Sequence, residues 1–164
     1  MQLSLFNCFR NFRKQKTKRP ASNPRKSDRE LYALWLRIRM EYFPSRSDLD
    51  AYRVYWSTRN QKRTLASCNI EDKRVVVARE LNYPEHHQWL EPLLYHEMCH
   101  AYFGIHVPRK NGKYSWHGRE FKQLEARHPQ LRAFDHWVHS GGWARAVRSD
   151  RARQAHSRRK LQAA

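Results

Sequence analysis

Residues 96–100 read His96-Glu97-Met98-Cys99-His100, the pattern H-E-x-x-H. An α-helix turns once every 3.6 residues, so positions i and i+4 share a face. On a helix, His96 and His100 aim their imidazoles at one point and can serve as two ligands of a single zinc ion. Glu97 lies one residue along, beside the open coordination position, where a carboxylate accepts a proton from water. The pattern points to metal-assisted hydrolysis, most often of a peptide bond. With ten His in 164 residues, it arises by accident in roughly three per cent of such chains, so its surroundings must decide.

Those surroundings favour a helix. Pro92-Leu93-Leu94-Tyr95 precede the motif and Ala101-Tyr102-Phe103-Gly104 follow it. Pro92 suits a first helical turn and Gly104 a C-cap. Leu93, Leu94, Met98, Ala101 and Tyr102 supply apolar packing, and the helix is expected from about 87–91 to 103.

Upstream, Ser27 and Glu30 read as an S-x-x-E capping box. Leu31, Leu34, Trp35, Ile38 and Tyr42 follow at helical spacing until Pro44, which predicts an amphipathic helix over 28–42. The period then changes. Tyr52, Val54 and Trp56 alternate with Arg53, Tyr55 and Ser57. Thr64-Leu65-Ala66-Ser67-Cys68 and Arg74-Val75-Val76-Val77-Ala78-Arg79 read as two more strands, separated by turn residues. Three closely spaced strands predict an antiparallel meander. The last of them, just before the motif helix, could pair with an extended substrate. Downstream, Pro108 and Asn111-Gly112 mark a loop. A helix starting near His117-Gly118 carries Phe121 and Leu124 on one face, and Leu131, Phe134, Trp137 and Val138 suggest another that Gly141-Gly142 breaks. The expected fold class is α+β: a minimal zincin-like domain with an N-terminal helix, a three-stranded antiparallel sheet, the motif helix and C-terminal helices.

A catalytic zinc takes three protein ligands and a water. His86 and His87 would have to coil back to reach it. His106 sits just past the C-cap, and His128, His136, His139 and His156 lie in amphipathic or basic segments. His117 is better placed, at a helix start after a loop long enough to reverse the chain, but the residues alone leave the others open. The oxyanion donor is open too, among Tyr95, Tyr102, Tyr114 and His106. Cys68 and Cys99 read as small core hydrophobes, and Trp116 as packing.

The net charge is +18 and unevenly placed. Residues 1–26 carry +8 with no acid, residues 145–164 carry +6, and the long middle only +4. The expected organisation is a basic flexible arm over 1–26, a domain over 27–143 and a basic tail over 144–164. Two basic ends on a nearly balanced body are the footprint of a polyanion partner. Candidate DNA contacts are Arg13, Lys14, Lys16, Lys18 and Arg19 in the arm, Arg158, Arg159 and Lys160 in the tail, and Arg109, Lys110 and Lys113 in the loop. No apolar run reaches the roughly 18 residues of a membrane span, and no secretory signal is evident. The odd, widely spaced cysteines Cys8, Cys68 and Cys99 argue against a disulfide framework. The expectation is a monomer in a reducing, cytoplasmic setting, associated with the nucleoid in a bacterium. The Arg-rich start leaves a nuclear or organellar site open.

Leu94-Tyr95-His96-Glu97-Met98-Cys99-His100-Ala101-Tyr102, followed by His117-Gly118-Arg119-Glu120-Phe121, resembles the SprT-like zinc metalloproteases, which include the eukaryotic Spartan enzymes. In that family the first motif reads H-E-M-x-H-A, and the third ligand opens an H-G-x-x-F segment. Lys62-Arg63-Thr64-Leu65-Ala66 is similar to its basic-Thr-Leu-Gly stretch, with Ala66 in place of Gly, and Arg74-Val75-Val76-Val77 to its following strand. The resemblance covers about residues 28–128. It implies His96, His100 and His117 as ligands of one catalytic Zn2+, Glu97 as general base, and cleavage of proteins bound or crosslinked to DNA. The cysteine-rich zinc ribbon that many members carry has no counterpart after 129. A zinc hydrolase of another substrate class, or a nucleic-acid-binding protein on a metalloprotease-like scaffold, are the alternatives. The intact Glu97 speaks against the latter, since binding alone does not need it.

Overall fold

The computed structural model describes residues 26–104, 106, 109–110, 113–114 and 116–163. Five α-helices and a small mixed sheet are formed: α1 (Arg29–Tyr42), β1 (Arg53–Trp56), β2 (Ala66–Asn69), β3 (Arg74–Val77), α2 (Leu90–Phe103), the two-residue strands β4 (Arg109–Lys110) and β5 (Lys113–Tyr114), α3 (Arg119–Glu125), α4 (Leu131–His139) and α5 (Gly142–Gln162). The α+β class holds. The arm residues Arg13, Lys14, Lys16, Lys18 and Arg19 lie outside the described residues.

α1 buries Leu31, Trp35 and Ile38 at the expected spacing. Full burial of each such side chain stabilises by about 1.5–3 kcal/mol. Trp35 also donates its indole N–H to the Leu49 carbonyl at 2.9 Å. The N-cap is Asp28 rather than Ser27: Asp28 Oδ1 accepts from the Glu30 and Leu31 N–H groups, both at 3.1 Å. Ser27 instead accepts from the Val54 N–H at 3.1 Å, tying the helix entry to β1.

The sheet is not a meander. Its order is β1-β3-β2, with β1 parallel to β3 and β2 antiparallel to it. A tight turn, in which Asn69 Oδ1 accepts from the Asp72 N–H at 2.8 Å, folds β3 directly back on β2. The longer 57–65 connection lets β2 pass beyond its neighbour's place. β3 carries Val75-Val76-Val77, and the most β-branched strand takes the centre, where both edges are covered. Its backbone is therefore paired on both sides, which withdraws the expected role of β3 as a pairing edge for substrate.

α2 is the centre of the domain, packed by α1, β2 and α3. From Leu90 to Ala101 it is buried at every position but Glu91, including His96, Glu97 and His100. A helix enclosed all round shows no single apolar stripe. Gly104 closes it in the left-handed region (φ 55°), its N–H bonded to the His100 carbonyl at 3.0 Å.

α4 ends at His139, and Gly141 (φ 82°) turns the chain directly into α5. α5 is a single helix through the boundary expected at 143/144. Its first turns bury Trp143, Ala146, Val147 and Asp150. The Trp143 indole N–H donates to the Lys62 carbonyl at 3.2 Å, and the Tyr83 hydroxyl donates to Asp150 at 2.9 Å. Beyond Asp150 the helix is exposed except at Gln154. No helix among the described residues is long and apolar enough to cross a membrane.

Candidate metal centre

α2 sets His96 and His100 one turn apart on one face, and α3 is folded against that face. The chain brings His117 in just before α3 begins, so the three imidazoles converge. Their Nε2 atoms are 3.2 Å apart for His96–His100 and 3.2 Å for His100–His117. Zinc–imidazole bonds of about 2.0–2.1 Å at tetrahedral angles require nitrogens about 3.3–3.4 Å apart. The spacing fits one ion, and among the described residues these three form a group able to hold a metal.

Phe121 forms the wall of the group. Its ring lies 5.3 Å from His96, 4.5 Å from His100 and 4.9 Å from His117, centroid to centroid. The pattern of a His followed four residues later by a Phe thus has a steric meaning: His117 enters just before α3, and Phe121 on the first turn of α3 supplies the wall.

Burial, together with the neighbouring His96 and His117, holds His100 well below the usual imidazole pKa. Burial, aided by His96, brings His117 down to about 4. Both are neutral at physiological pH, as metal ligands must be. His96 differs. Burial pulls its pKa down, but a hydrogen bond to Glu125 and the charges of Glu97, Glu125 and Asp135 outweigh that pull, and the net shift is upward.

Glu97 is fully buried, and neither carboxylate oxygen completes a hydrogen bond among the described residues. Burial raises its pKa to about 7, against the opposing pull of His96.

The residue of this group that sequence reasoning missed is Glu125. Its Oε1 accepts a hydrogen bond from His96 Nδ1 at 2.5 Å. Glu125 stands four residues after Phe121, on the same face of α3. A lone acid at a core-facing helical position is the signal that could have found it.

The oxyanion candidates separate. Tyr95 is buried, with its hydroxyl donating to the Leu124 carbonyl at 2.7 Å, so it serves the core. Tyr102 is partly exposed beneath Arg46, whose guanidinium lies 4.8 Å over its ring. His106 is exposed, and the Tyr114 side chain lies outside the described residues. Cys68 and Cys99 are buried in the core cluster.

The basic candidates fall in three places. Arg109, Lys110 and Lys113 sit on a short antiparallel ladder, Lys110 opposite Lys113, with side chains outside the described residues. Arg158, Arg159 and Lys160 are exposed on the last turns of α5. At 100° per residue, Arg148, Arg151, Arg158 and Arg159 fall within an arc of about 100° that borders the docked face of α5 on the Val147 side. All four are exposed, and the one acid of the helix, Asp150, is buried on the other side.

An α+β scaffold that converges three neutral or neutralisable imidazoles beside a buried carboxylate defines a metalloprotease-like domain. The model of the SprT-like family matches residues 31–136, more than half of the chain, and the chain belongs to that family. No curated protein matches it.

Proposed function

We propose that this chain is a zinc-dependent endopeptidase acting on proteins bound to DNA, including DNA–protein crosslinks. The observation that carries the proposal is the convergence of His96, His100 and His117 at a spacing suited to one tetrahedral ion. These three residues would hold the zinc. When bound, zinc lowers the pKa of a water and polarises the scissile carbonyl. Glu97 takes the proton of the attacking water and returns it to the leaving amine. Phe121 keeps the ligand side of the group dry. A buried, poorly hydrogen-bonded carboxylate is costly, and a module that only bound nucleic acid would gain nothing from keeping Glu97.

Charge supports the DNA part. The arginine stripe on α5, the arm residues and Arg109, Lys110 and Lys113 offer phosphate contacts that carry affinity without sequence preference. The protein works as a monomer in a reducing compartment where DNA is at hand.

The test is cleavage of casein and of the chain itself, by wild type and Glu97→Gln, with and without single- and double-stranded DNA. Cleavage by wild type alone, enhanced by DNA, is expected. Equal activity of both proteins would remove Glu97 from the reaction.

A further inference from the structure

Glu125 ends α3, the helix that follows His117, yet its carboxylate is engaged with α2. Glu125 Oε1 and His96 Nδ1 are 2.5 Å apart; the Glu125 side chain is 15% exposed and that of His96 0%. A carboxylate offers only acceptor sites, so the hydrogen of this bond resides on Nδ1. In neutral His96 the Nε2 atom then carries the lone pair, and this is the atom 3.2 Å from His100 Nε2. A hydrogen bond at one ring nitrogen decides which nitrogen is left to bind a metal.

We propose that Glu125 is the positioning residue of the metal group. It fixes the tautomer and ring orientation of His96 so that Nε2 faces the shared point. Its carboxylate also makes that imidazole a better donor. Because Glu125 and Phe121 lie one turn apart on α3, the same helix positions His96 from behind and closes the wall of the group. A clamp between α2 and α3 could use any surface pair. Glu125 instead engages the one nitrogen of His96 that the group leaves over. The role rests on the proposed metal site.

The test compares the full chain with Glu125→Gln and Glu125→Ala. Imidazole 15N–1H correlation spectra of the metal-free proteins report the His96 tautomer. Competition with a chromophoric chelator reports the zinc dissociation constant. Wild-type His96 is expected as the Nδ1–H tautomer. Glu125→Gln keeps that tautomer, because its amide oxygen still accepts, and weakens zinc binding about 10-fold. Glu125→Ala loses the tautomer preference and weakens binding toward about 100-fold. Should Glu125→Ala not fold, Glu125→Gln decides alone. Wild-type zinc uptake with an unchanged constant in Glu125→Gln overturns this role and leaves the metal site standing. A wild-type chain that takes up no zinc overturns both.

Discussion

The Nε2 atoms of His100 and His117 stand 3.2 Å apart although 17 positions separate them in the chain. That separation lets one ion be bound by both imidazoles. Removing His117 leaves two ligands on one helix, one fewer than a catalytic zinc takes. His117→Ala is expected to lower bound zinc from about one equivalent to near zero, read by elemental analysis after dialysis. Retention of stoichiometric zinc would point to another third ligand.

Phe121 touches all three imidazoles, and it is buried. Phe121→Ala opens a cavity beside the group at a cost of about 3–5 kcal/mol. Zinc should restore part of that loss by binding only the folded state. Thermal melts with and without zinc measure both, and the zinc-induced gain should be smaller than in wild type because the ligands are held less firmly.

Glu80 is 1% exposed, with Oε1 accepting from the Gln61 N–H at 2.5 Å and Oε2 without a hydrogen-bond partner among the described residues. Burial pushes its pKa up from 4.5 against two backbone hydrogen bonds, and the nearby Asp150 adds to the rise. With the folded pKa above the unfolded one, its contribution to stability is fully present below the unfolded value and is lost as pH rises through the folded value. Glu80→Gln removes the charge and keeps an acceptor for Gln61. It should melt above wild type at about pH 8, with the gap closing toward about pH 4. A gap that is constant across this range would mean that Glu80 does not titrate differently in the fold.

The arginine stripe of α5 gives the proposed DNA binding a measurable form. Replacing Arg148, Arg151, Arg158 and Arg159 together by Glu should weaken duplex binding in fluorescence anisotropy. It should also flatten the plot of log affinity against log salt by about 0.9 for each phosphate that the helix no longer neutralises. Circular dichroism should be unchanged, since none of these side chains is buried. An unaltered salt slope would assign DNA binding to the other basic segments.

Gly142 opens α5 against Trp137. A Cβ there would lie 2.3 Å from the indole Cε2 and Nε1 atoms. Gly142→Ala must push the ring off its stack on Trp89, where the two centroids are 5.3 Å apart. A loss of about 1–3 kcal/mol is expected, read from denaturant unfolding. A stability equal to wild type would show that the α4–α5 corner gives way freely.

Much of the fold was legible from local rules. Leu31, Trp35 and Ile38 announced α1 by spacing, and Gly104 and Gly141 marked helix ends through the left-handed backbone that glycine accepts. The capping box misplaced the N-cap by one residue, because Ser27 was claimed by β1, a partner 27 positions away. The strand order was illegible for the same reason. Alternation tells which residues form strands, but the choice of neighbour depends on connection length and on which strand is apolar enough for the centre.

The candidate site divides along the same line. By itself the sequence determined that His96 and His100 share a helix face and that Glu97 stands beside them, since helical periodicity acts over four residues. It also put net positive charge at both ends of the chain. Tertiary structure decided which of the remaining histidines joins them, because His117 reaches the group only through the packing of α3 on α2. It decided that Glu125 holds His96 from behind, and that the first turns of α5 dock on the domain while the last turns stay exposed. Each of these depends on surfaces brought together from distant parts of the chain, which spacing along the chain does not fix; for His117 the sequence offered only the H-G-x-x-F resemblance.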